Sequence, residues 1–205
     1  AAAGPTLAVD QILHVWLSWV RFDLVTARFA RPWMWREPTA GPLYATGAEF
    51  AFNARAWAQD GEGSAASPGY DVPSFVAAVR AVRGADDFGD LPLSAQLERL
   101  FGGASSPASG LGRSCSLNLC RLVSYGTLEF RRHHADLDPA DLVRWAHFCV
   151  CFVERFANVS PLLAATLDAP TLDDGLSALR DAQERATVGA LMAEMGVEAC
   201  WPAGL

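Results

Sequence analysis

From Val9 to about Phe29, Leu13, Trp16, Leu17, Val20 and Leu24 recur at the three- and four-residue spacing of one helical face, while His14, Ser18, Arg21 and Arg28 fall largely elsewhere. A helix this long and this apolar has to bury its stripe against other elements. A second stretch makes the same demand. Asp138, Pro139 and Asp141 combine a cap, a favoured first-turn proline and an acidic residue near the positive end of the helix dipole. Leu142, Trp145, Cys149, Phe152, Val153 and Phe156 then line one face of the helix that follows. The chain is therefore built around packed helices.

Between and after these helices the elements are shorter. RPWMWREPTAGP, from Arg31 to Pro42, ends the first helix with three prolines, and GAEFAFNARAWA fits a strand or a helix equally well. Residues 61–73 and 102–112 read as flexible loops from their Gly, Ser and Pro content. SFVAAVRAVR and LSAQLERLF read as short helices capped by Ser74 and Ser94, and Thr171 caps another carrying Leu172, Leu176 and Leu179. A last short helix runs through Leu191 to Met195. Ser116 to His133 reads as a β-hairpin, with SLNLCRLV and TLEFRRH as strands and SYG as the turn. The expected fold class is α+β, mostly helical with a small antiparallel sheet, and 205 residues suffice for a single domain with one core.

Composition narrows the function classes. A formal net charge of -7 and a pI near 5.0 oppose a nucleic-acid partner or an anionic lipid surface. The longest apolar runs, such as FCVCFV from Phe148, are far shorter than the roughly 20 residues a membrane span needs. All sixteen basic residues are arginine, which excludes Schiff-base chemistry and a P-loop lysine within this chain. The five cysteines form no CxxC pair and are odd in number, which favours thiols in an intracellular or organellar reducing compartment over a disulfide framework. Cys149 and Cys151 read as helix-packing residues.

The densest charge lies in GTLEFRRHHADLD, Gly126 to Asp138, where seven of thirteen residues are ionisable. On a strand, Thr127, Glu129, Arg131 and His133 share one face, and Leu128, Phe130 and Arg132 share the other, with Leu128 and Phe130 facing the core. Glu129 and Arg131 then stand side by side. A carboxylate is a hard oxygen ligand for Mg²⁺, and an arginine fork grips phosphate oxygens, so the pair suits a nucleotide-dependent reaction. It equally suits an ion pair on a solvated sheet. His133 and His134 point to opposite faces and so would not share one metal ion.

The run LNLCRLVSYGTLEFRRHHADLDPADLVRWAHFCVCFVE, Leu117 to Glu154, resembles the amidoligase family, whose members carry an LNL segment, GT(I/V)EFR, a histidine, GTLD and a helix beginning near a tryptophan. QILHVWLSWVRFDLVTARF and the proline-rich turn after it look like the region that precedes these motifs. The resemblance implies kinship with glutamine synthetase and glutamate-cysteine ligase, and a chain corresponding to the later two-thirds of such a ligase domain. It implies ATP and Mg²⁺ as cofactors and small carboxylate and amine substrates. Glu129 falls on the metal ligand, Arg131 on the phosphate-binding catalytic residue, His133 on a substrate-facing position and Arg113 on a nucleotide contact. Two departures stand out. Ala135 and Asp136 replace the family's Gly-Thr, and no Glu-x-Glu occurs in a strand context. An inactive structural or interaction subunit of a larger assembly is therefore a parallel expectation.

Overall fold

The computed structural model describes residues 7–26, 72–103, 105–110, 116–130, 139–158 and 161–196. The chain divides into two compact units, one of Ala1–Phe22 with Asp136–Leu205 and the other of Asp23–Ala135. Most described residues are helical, and the described strands form one small antiparallel pair, so the α+β, mostly helical class holds.

The first unit gathers α1 (Val9–Arg21), α7 (Pro139–Phe156), α8 (Pro161–Leu167), α9 (Leu172–Glu184) and α10 (Val188–Met195). Helix α1 packs against α7, α8 and α9, and α10 packs against α7. With neighbours on several sides, α1 is buried continuously from Ile12 to Val20, which takes in His14 and Ser18 as well as the apolar stripe. Of the residues expected off that stripe, Arg21 is half-buried, and His14 and Ser18 are buried. Those two side chains turn to each other, His14 Nε2 lying 3.4 Å from Ser18 Oγ. Helix α1 also ends earlier than expected. It stops at Arg21, and α2 (Asp23–Thr26) follows a break at Phe22. At the N-terminus the Ala8 N–H donates to Gln11 Oε1 at 2.8 Å, the half of a capping box that an alanine cap leaves possible.

Helix α7 is helical from its first described residue, Pro139, and Arg144 Nη1 donates to Asp141 Oδ1 at 2.5 Å one turn in. Its buried line is Trp145, Phe148, Phe152 and Phe156, rotated from the expected face. Leu142 is exposed, and Cys149 and Val153 are half-buried. Aromatic rings remove more area from water than Leu, Cys or Val, so they set the rotation. Phe152 meets Trp19 edge to face at 5.2 Å and Phe156 at 4.5 Å, which makes it the hub of this core. Helices α9 and α10 carry Thr171 and Thr187 as caps, each accepting a backbone N–H three residues on, at 3.1 and 3.0 Å.

The second unit holds α2, α3 (Val72–Arg83), α4 (Leu93–Phe101), α5 (Pro107–Gly110), β1 (Leu117–Asn118), α6 (Arg121–Tyr125) and β2 (Glu129–Phe130). Helix α3 already includes Val72, inside the stretch read as a loop, so Ser74 is an interior residue rather than a cap. Val72 and Pro73 are both buried on this helix. Helix α4 begins after Pro92, whose carbonyl accepts from Ala95 and Gln96, so Ser94 likewise lies inside. The short α5 falls within 102–112, also read as loop. Residues 61–71 and 111–112, with Trp33 and Trp35, lie outside the described residues. Among the described residues, no single helix is long and apolar enough to cross a membrane.

Candidate functional site

The hairpin expected over Ser116–His133 is an antiparallel pair, but not a tight hairpin. Leu117 pairs with Phe130 and Asn118 with Glu129. Between them the chain coils into α6. Asn118 causes the departure from strand geometry. Its Oδ1 accepts the Cys120 N–H at 2.9 Å, an Asx-type turn that bends the chain straight after β1. Leu122 N then donates to Leu119 O at 3.1 Å, and Gly126, at φ 67°, supplies the left-handed residue that ends α6 and returns the chain to β2.

That turn places three polar side chains together. Asn118 is fully buried, and its Nδ2 donates to Glu129 Oε2 at 2.8 Å across the strands. The Glu129 carboxylate is thus oriented by a residue that is itself fixed on both sides, through Cys120 and through the sheet. Arg121 approaches the same oxygen, Nε to Oε2, at 3.8 Å. Its guanidinium carbon lies 5.5 Å from the centroid of the Tyr125 ring, and Tyr125 is exposed. Glu129 and Arg121 are each a little over a third exposed. Solvent therefore reaches a carboxylate that rests on a buried amide and the guanidinium beside that carboxylate. Leu128 and Phe130, expected in the core, are half-buried; Leu117 and Leu119 of the opposite segment take the core positions instead.

Of the residues singled out in the sequence, Glu129 is placed here. Arg113, Arg131 and His133 lie outside the described residues. Asn118 and Arg121 are additions from the structure. The LNL segment contained the first, but its role depends on the register, which the expected turn at Ser124–Gly126 set differently. Among the described residues, no three His, Cys, Asp or Glu side chains converge on a common point. Mg²⁺ is commonly held by one or two carboxylates, with phosphate oxygens and water filling the other positions, so a single oriented Glu129 fits that manner of binding.

Comparison with family models, curated proteins and solved structures returned no match to the chain. A functional reading therefore rests on this site and on the motifs of Leu117–Glu154.

Proposed function

We propose that the protein is an ATP- and Mg²⁺-dependent carboxylate–amine ligase of amidoligase type. The observation that carries the reading is the buried Asn118 amide holding the Glu129 carboxylate toward solvent from the neighbouring strand, within the segment that carries the LNL and GTLEFR motifs. In this reading Glu129 is the metal ligand, Arg131 grips the transferring phosphoryl group, and Arg113 and His133 make nucleotide and substrate contacts. Bound Mg·ATP would supply the phosphoryl group that activates a small carboxylate for attack by an amine. The protein's own part is orientation. Asn118 keeps the carboxylate from turning away, and the adjacent guanidinium favours negative charge beside it.

ADP release from ATP by the purified chain, over a panel of carboxylates and amines, tests the proposal. Glu129→Gln keeps the side-chain shape and removes the metal ligand, so turnover should fall by at least about a hundredfold. Turnover unchanged by that substitution would remove Glu129 from the role.

A second reading is favoured by Ala135 and Asp136, which put a methyl group and a negative charge where the family has Gly-Thr. It keeps the fold as a non-catalytic structural or interaction subunit of a larger assembly. A chain of that kind would release no ADP under any substrate pair.

A further inference from the structure

We infer that Arg121 is an oxyanion-binding residue of the Glu129 site, which takes the phosphate oxygens of a metal-bound polyphosphate. This rests on the phosphate-handling reading above and adds a residue that the resemblance does not supply. Among the described residues, three other arginines have spent N–H donors on a carboxylate neighbour. Arg21 holds Glu194 through two bonds of 3.0 and 2.6 Å, Arg99 holds Asp87 through two of 2.8 and 2.6 Å, and Arg144 holds Asp141. Arg121 has not. Its approach to Glu129 is 3.8 Å, beyond hydrogen-bond reach, and the oxygen it faces already accepts from Asn118.

The Tyr125 ring holds the guanidinium by a face contact that uses no N–H. Among the described residues, its Nη groups are therefore unspent, half-exposed, and fixed beside an oriented carboxylate. A planar fork in that state matches a phosphate bidentately. The charge balance gives the inference a sign. The chain carries a net charge of -7, so its overall field opposes anions and any affinity for one must come from a local cation. Glu129 opposes a bare anion beside Arg121. It would assist one that carries Mg²⁺, because Glu129 would hold the cation and offset the repulsion.

Calorimetric titration of the full chain with sodium pyrophosphate, with and without MgCl₂, tests this. With Mg²⁺, Arg121→Gln should raise Kd about tenfold or more, and Arg121→Lys, which keeps the charge and loses the fork, by a smaller factor of roughly threefold. Without metal, Glu129→Gln should tighten binding, opposite in direction to Arg121→Gln. Equal affinity in wild type and Arg121→Gln, or no binding to wild type at millimolar pyrophosphate, overturns the inference. A thermal midpoint for Arg121→Lys matching wild type separates lost binding from lost folding. ADP release distinguishes this inference from the reading beneath it. Arg121-dependent pyrophosphate binding without ATP turnover keeps the oxyanion site and removes the ligase, whereas turnover indifferent to Arg121→Gln keeps the ligase and removes Arg121.

Discussion

His14 and Cys149 show how far a residue's chemistry departs from its sequence context once the helices pack. Burial pushes the His14 imidazole below its ordinary value of 6.5, against opposing pulls from the backbone at Phe156 and Asn158 and from Glu194. The unfolded chain therefore takes up a proton near pH 6.5 that the folded chain refuses, so stability is fully present above that pH and is lost as the pH falls. The midpoint of thermal unfolding should drop between about pH 7.5 and 5.5, and His14→Gln should flatten the drop. A slope unchanged in the variant would assign it to other groups. Burial also pushes the Cys149 thiol up to about 12. At about pH 8 it stays protonated, so peptide mapping after alkylation should find Cys149 unmodified in the folded protein and modified after denaturation. The packing role assigned from sequence fits that chemistry. Asn118 was harder to read, because its function depends on which residue lies opposite.

At the scale of elements, periodicity identified the longer helices, missed the short α6 and α8, and misjudged faces and ends. Two causes recur. Polar residues on α1 are buried because partners approach from several sides, which one-face reasoning cannot anticipate. Start signals were read from serine, whereas α4 begins after Pro92 and α3 already includes Val72 and Pro73. The hairpin failed for a local reason. A tight turn about Tyr125 would set Arg121 opposite Glu129, four residues to either side; the helical turn of α6 sets Asn118 there instead. Within the first unit, the end of α1 is fastened to later helices by Arg21 on Glu194 and by Gln183 Nε2 donating to Val20 O at 3.2 Å. Glu194→Gln leaves a half-buried guanidinium with a poorer acceptor and should cost about 1 kcal/mol, seen as a Tm lower by roughly 2–4 °C. An unchanged Tm would mean that the fork contributes nothing.

For the whole molecule, the α+β class was legible because two long apolar periodicities and one alternating segment leave few other arrangements. The division into two compact units was not legible, since it depends on α1 packing with helices more than a hundred residues away along the chain. The candidate site was half legible. Glu129 stood out by charge and pattern, while the amide that orients it needed the register of two very short strands. The proposed role of this oriented carboxylate is to serve a metal–nucleotide complex. Its most direct measurement is calorimetric titration of the purified chain with Mg·ATP. Binding should be saturable in the micromolar range and weakened at least about tenfold by Glu129→Gln and by omission of Mg²⁺. No binding at millimolar Mg·ATP, or binding indifferent to both changes, would contradict it.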